Sequence, residues 1–187
     1  MKNVNSVNEL IKKFEDIIVE ENLITNESVV ALKHVATGKY LSSIKNLCYE
    51  TESKSQLVFV GSSEPDPDSL WKILFDEELA THDKTSINLQ HFKSNMLLAT
   101  SISYDGWTCH YSYCKSPSTK HTEVNCSGSQ PNWNFKLIEF LRSHDIQFTI
   151  ENNTYQEVVC HNERLGGNDE WCIELIKQAF KNINFSI

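Results

Sequence analysis

Val30-Ala31-Leu32-Lys33-His34-Val35-Ala36-Thr37-Gly38-Lys39-Tyr40-Leu41 is the stretch whose reading decides the fold. The chain repeats its pattern as Ile87-Asn88-Leu89-Gln90-His91-Phe92-Lys93-Ser94-Asn95-Met96-Leu97-Leu98. In the first copy Val30, Leu32 and His34 alternate as one face of a strand does, and in the second Ile87, Leu89 and His91 match them. Gly38 and Asn95 share the position at which a tight turn accepts a left-handed backbone. Both copies therefore read strand, turn, strand.

Each copy has a second half, an apolar run followed by polar turn residues and a Trp-x-apolar-x-apolar strand. Trp71-Lys72-Ile73-Leu74, Trp133-Asn134-Phe135-Lys136-Leu137 and Trp171-Cys172-Ile173-Glu174-Leu175 supply that strand three times. Their upstream runs begin at Gln56, Thr122 and Gln156. Repetition at this period marks a repeat architecture. Three such units closing on themselves predict an all-β fold, a β-trefoil with pseudo-threefold repeats, which removes most exposed strand edges. The third unit is degenerate in its first half, where Ile138-Glu139-Phe140 and Asp145-Ile146-Gln147-Phe148 stand in for the strand, turn and strand. The three tryptophans are expected to line a common interior. His34 and His91 are expected to hydrogen-bond within their own hairpins.

Ahead of the repeats, Val7, Leu10, Ile11, Phe14, Ile17 and Ile18 recur at three- and four-residue steps, with Ser6 and Glu9 as a capping box. Residues 1–25 are thus expected to carry one N-terminal amphipathic α-helix and residues 26–187 the trefoil.

The phrase from Leu32 to Ser43, and the pairing of Gln156-Glu157-Val158 with Asn168-Asp169-Glu170-Trp171, resemble the MIR domain. This module is shared by protein mannosyltransferases, inositol trisphosphate receptors and ryanodine receptors, and the chain is also similar to the stromal-cell-derived-factor-2 proteins. The resemblance runs from about Ser28 to Leu175. It implies a non-catalytic module that binds a glycan or a protein, with any transferase chemistry carried by other domains. Function does not follow from fold alone.

The chain has 187 residues, 40% hydrophobic and 22% charged, the composition of a globular domain. Its net charge of -8 repels phosphate backbones and anionic lipid, so neither nucleic acid nor a membrane is an expected partner. With no signal-peptide pattern at Met1 and no long apolar run, a cytoplasmic protein is expected. The six cysteines are then thiols. Their spacing lacks a C-x-x-C pair, so no metal and no cofactor is expected. Four Asn-x-Ser/Thr sequons, at Asn26, Asn125, Asn152 and Asn184, matter only in a secretory setting.

No nucleophile-base pair or ligand cluster stands at catalytic spacing, and the chain is not expected to be an enzyme. Binding is best sought in the insertion that splits unit two, Tyr104-Asp105-Gly106-Trp107-Thr108-Cys109-His110-Tyr111-Ser112-Tyr113. There Tyr104, Trp107, Tyr111 and Tyr113 offer aromatic faces and Asp105 and His110 polar contacts, a mixture suited to a glycan or a peptide. Two alternatives remain open: an adaptor or regulatory subunit docking through the N-terminal helix, and phosphoinositol or other small-ligand binding by Lys115, Lys120 and His121. The acidic turn Glu64-Pro65-Asp66-Pro67-Asp68 reads as a stiff solvated loop rather than a calcium site.

Overall fold

The computed structural model describes residues 24–51, 53–76, 85–106, 110–128, 133–134, 141–161 and 166–177, together with Glu9, Lys12 and Lys13. The expected N-terminal helix therefore lies outside the described residues. Unit one supplies β1 (Val29–His34), β2 (Leu41–Cys48), β3 (Gln56–Val60) and β4 (Trp71–Leu74). Unit two supplies β5 (Ser86–His91), β6 (Leu97–Thr100), β7 (Ile102–Asp105), β8 (His110–Tyr113), β9 (Thr122–Ser127) and β10 (Trp133–Asn134). Unit three supplies β11 (Leu141–Ile150), β12 (Asn153–Cys160) and β13 (Trp171–Lys177).

Three antiparallel hairpins, β2–β3, β6–β9 and β11–β12, carry the repeat. Their inner strands also pair with one another, β3 with β9, β9 with β12 and β12 with β3, so the three hairpins surround a common axis. The registers correspond residue by residue. Leu41 faces Val60, Leu98 faces Cys126, and Leu141 faces Cys160. All-β structure with three such hairpins is the pattern expected of a β-trefoil.

The same register stacks the core in threefold layers. Leu41, Leu98 and Leu141 form one set and Val58, Val124 and Val158 another, each side chain at most 1% exposed and all in a single apolar cluster. Burying one such side chain contributes about 1.5–3 kcal/mol, so these six are a large share of what holds the hairpins together. Trp71 is fully buried in that cluster and Trp171 packs partly buried against it. Their indole N–H groups donate to Leu41 O at 3.0 Å and Leu141 O at 2.8 Å, so each tryptophan clamps its own hairpin. The side chain of Trp133 lies outside the described residues, although its backbone pairs with Ile87.

Of the expected stand-ins in unit three, Ile138-Glu139-Phe140 lie outside the described residues, while Asp145–Phe148 fall within the single strand Leu141–Ile150, equivalent to β2. Both strands slip register at the same place, after Ser43 and after Ser143. Alternation alone does not reveal such a slip, because an irregular strand reads like two short ones.

His34 and His91 sit where the repeat puts them. Thr37 and Ser94 hydroxyls stand 2.9 Å from their Nδ1 atoms, inside each turn. Their Nε2–H groups donate to Asn168 O at 3.0 Å and Asp68 O at 3.2 Å, which ties each imidazole to the loop ahead of a tryptophan. The rings pack on Trp171 and Trp71 with centroids 4.9 and 5.2 Å apart.

Leu57, Glu123 and Glu157 occupy equivalent positions on β3, β9 and β12, all fully buried. Glu123 accepts from the hydroxyls of Thr51 and Ser53 in the hairpin loop of unit one, and from Asn125 Nδ2 at 3.0 Å. Glu157 accepts from Ser118 N at 2.9 Å and Thr119 N at 3.2 Å, in the loop of unit two. Units two and three thus each pin the hairpin loop of the preceding unit through a buried glutamate. Between units three and one the contact is apolar instead, with Leu57 clustered among Phe148, Ile150 and Tyr155.

Candidate functional site

The insertion in unit two is a ribbon, not an irregular loop. Ile102 pairs with Tyr113, Ser103 with Ser112, Tyr104 with Tyr111, and Asp105 with His110, in a two-stranded sheet separate from the main one. At its base Cys114 N donates to Ser101 O at 2.9 Å, and Asn125 Nδ2 donates to Ser101 Oγ at 3.0 Å, fixing the ribbon to β9.

Pleating sends directly paired residues to the same side and alternate residues to opposite sides. Ile102, Tyr104, Tyr111 and Tyr113 therefore share one face. They are 59%, 54%, 74% and 52% exposed, so this face is open to solvent rather than folded onto the trefoil. Tyr104 and Tyr111 stack with centroids 4.8 Å apart and planes tilted by 37°. The register places His110 one step out of phase, on the other face together with Ser103 and Ser112, and the side chain of Asp105 lies outside the described residues. Trp107 lies outside the described residues. The structure thus brings three of the six expected residues together and adds Ile102, which sequence reading missed. The signal was present in Ile102-x-Tyr104, the Asp105-Gly106 turn pair and Tyr111-x-Tyr113.

Of the other sequence candidates Lys115 is exposed, and the rest have partners of their own. Lys120 Nζ donates to Pro117 O at 2.7 Å, while the ring of His121 neighbours His144 and His161, with centroids 6.3 and 6.2 Å away. Asp66 Oδ1 accepts from Asp68 N at 2.8 Å and Ser69 N at 3.0 Å, and Asp68 pairs with Lys93 at 2.7 Å, so the acidic turn uses its carboxylates to build itself. Among the described residues no group of three His, Cys, Asp or Glu side chains is placed to hold a metal ion. Cys48, Cys114, Cys126, Cys160 and Cys172 are thiols. Burial pushes the Cys126 thiol up to about 12, which makes it unreactive. No helix among the described residues is long and apolar enough to cross a membrane. Of the sequons, Asn125 is fully buried and Asn26 accepts from Phe75 N at 2.9 Å, whereas Asn152 is exposed at the β11–β12 turn.

No family model and no curated protein matches the sequence. Solved structures do. The SDF2-like protein from Arabidopsis thaliana superposes with a TM-score of 0.62 at 22% identity, over 81% of this chain and 94% of that one. A Caenorhabditis elegans protein of unknown function gives 0.63 at 19% identity, over 83% and 98%. A chain of the S. cerevisiae protein O-mannosyltransferase Pmt1-Pmt2 complex bound to the sugar donor gives 0.62 at 16% identity, over 87% of this chain but 28% of that one. The chain therefore has the fold of the SDF2-like protein and of a part of the mannosyltransferase chain, which is the fold that its resemblance to the MIR domain implies.

Proposed function

We propose that this chain is a β-trefoil binding module of the MIR type, without catalytic activity of its own, and that it takes a glycan or glycosylated protein on the β7–β8 ribbon. The observation that carries the reading is the solvent-open face of Ile102, Tyr104, Tyr111 and Tyr113. Exposed apolar clusters of this kind mark interaction sites, and tyrosines present a flat ring for stacking with a hydroxyl for hydrogen bonding. The two-stranded ribbon holds them at fixed spacing, which lowers the entropy cost of binding. Similarity of fold to a mannosyltransferase chain favours a glycan over a bare peptide. A cytosolic setting agrees with the free thiols of Cys48, Cys114, Cys126, Cys160 and Cys172 among the described residues.

A glycan array with the purified protein tests the ligand class, and Tyr104→Ala/Tyr111→Ala tests the place. The double variant is expected to keep its unfolding midpoint, since both side chains are exposed, and to lose at least tenfold in affinity. Binding equal to wild type would remove the ribbon from consideration.

A further inference from the structure

Between the β2–β3 hairpin and the first turn of unit two lies an open groove of about 470 Å³, lined among others by Lys45, Lys54, Gln56 and Met96. That volume falls in the range of small-molecule sites. Both lysines are exposed, and among the described residues no carboxylate lines the groove, in a chain whose net charge is -8. Lys54 Nζ donates to Glu50 O at 2.7 Å, which uses one of its three N–H groups.

The pseudo-threefold relation shows what is special here. Gln56 and Gln156 are equivalent, and both amides donate to an equivalent serine, Ser43 at 2.6 Å and Ser143 at 2.9 Å. Ser43 Oγ gives its own proton to Leu57 O at 2.6 Å, so it faces the Gln56 side chain only as an acceptor, which fixes the orientation of the amide. Gln56 Nε2 also reaches His91 Nδ1 at 3.3 Å. In unit three the remaining oxygen, Gln156 Oε1, accepts from Lys39 Nζ at 3.3 Å. The residue equivalent to Lys39 is Met96, each supplying the carbonyl that its turn histidine N–H bonds. Gln56 is 7% exposed, and its Oε1 has no donor among the described residues. That oxygen is open to a donor supplied from the groove that Gln56 lines.

We propose that this groove binds a small anionic sugar, with Lys45 and Lys54 on the anionic group and Gln56 Oε1 accepting from a ring hydroxyl. The site is separate from the ribbon and does not depend on the reading given to it. A sugar phosphate and a sugar carboxylate share the required chemistry.

Titration of ¹⁵N-labelled protein with glucose 6-phosphate, glucuronate, glucose and inorganic phosphate separates the sources. At least one of the two anionic sugars is expected to saturate, shifting the amides of Gln56 and Met96, with glucose and inorganic phosphate each at least tenfold weaker. Lys45→Ala/Lys54→Ala should weaken the anionic sugar at least tenfold. Met96→Lys sets into unit two the lysine that unit one already carries. It should satisfy Gln56 Oε1 internally and erase the advantage of glucose 6-phosphate over inorganic phosphate, without lowering the unfolding midpoint. Tyr104→Ala/Tyr111→Ala should bind as wild type does. No saturation by either anionic sugar, inorganic phosphate binding as tightly as glucose 6-phosphate, or insensitivity to loss of both lysines would each overturn the proposal. So would loss of binding in the ribbon variant, which would place the ligand there instead.

Discussion

The Nε2 of His161 lies 2.9 Å from Oδ1 of Asp169, at positions where the first unit carries Gly61 and Ser69. The correspondence follows a constant offset of 100 residues that also relates Ser43 to Ser143 and Trp71 to Trp171. Arg142, at the position of Ser42, completes the set with Nε at 2.5 Å and Nη2 at 2.7 Å from the two Asp169 oxygens, and Gly166 N donates to Oδ2 at 2.7 Å. A small set in one unit has become a buried charged one in another. The backbone is shared, so the volume and charge of three side chains had to change together.

Asp169 is the hub of that set, and its loss should be costly. Burial alone would raise its carboxyl, but the Arg142 fork, His161 and the Gly166 N–H outweigh it and hold it down to about 2. Asp169→Asn is expected to lose about 3 kcal/mol in urea unfolding, because Arg142 and His161 stay buried without their anion. The sign with pH follows from a folded pKa below the unfolded 3.8. The stabilisation, about 2 kcal/mol, is complete above 3.8 and disappears as pH falls through 2. Unfolding curves between pH 5 and 2 should show that slope in wild type and a shallower one in the variant. Parallel slopes would mean that the pair does not carry acid sensitivity.

His144 predicts a second, separate window. Burial lowers its pKa below 6.5, Arg142, His121 and His161 add to the lowering, and Glu157 opposes them. The neutral ring is the folded form, so this contribution is present above 6.5 and is lost as pH falls below it, when the unfolded chain takes up the proton first. Its Nε2 is also buried without a hydrogen-bond partner. Unit one places Ile44 at this position. His144→Ile should therefore raise stability at pH 7.5 by about 1 kcal/mol and flatten the decline just below 6.5. A variant less stable than wild type at neutral pH would show that the imidazole does structural work that this geometry does not reveal.

The parts of this architecture that local pattern encodes were legible in the sequence: the Val30–Leu41 phrase and its copy, and the tryptophan strands. What escaped reading depends on contacts far apart in the chain. Glu123 and Glu157 look like ordinary surface carboxylates in Thr-Glu-Val and Gln-Glu-Val, and only the inner-strand pairing buries them. Likewise the tyrosine face needed the ribbon register before Tyr104 and Tyr111 could be placed together and His110 set apart.

Gly61 tests the close packing that the offset implies. A Cβ at this position would stand 2.5 Å from Ser42 Oγ and 3.1 Å from Ser42 Cβ. Gly61→Ala should cost about 1–2 kcal/mol, because Ser42 must give up its bond to Tyr40 O at 3.2 Å and the strand must shift. Adding Ser42→Gly should recover most of the loss that the clash causes, a non-additivity measurable in a double-mutant cycle. Additive losses would mean that the glycine is needed for some reason other than its neighbour.

The two described indoles distinguish clamping from filling. Trp71 and Trp171 make the same bond to equivalent leucine carbonyls, but Trp71 is fully buried and Trp171 only partly. Phenylalanine removes the N–H in both and leaves a cavity only where no water reaches. Trp71→Phe is therefore expected to cost about 3 kcal/mol, from an unpaired Leu41 carbonyl and the vacated volume. Trp171→Phe should cost about 1 kcal/mol, since solvent can reach the Leu141 carbonyl. Chemical unfolding of both variants measures the difference. Equal losses would indicate that the hydrogen bond, rather than packing, sets the contribution of these tryptophans.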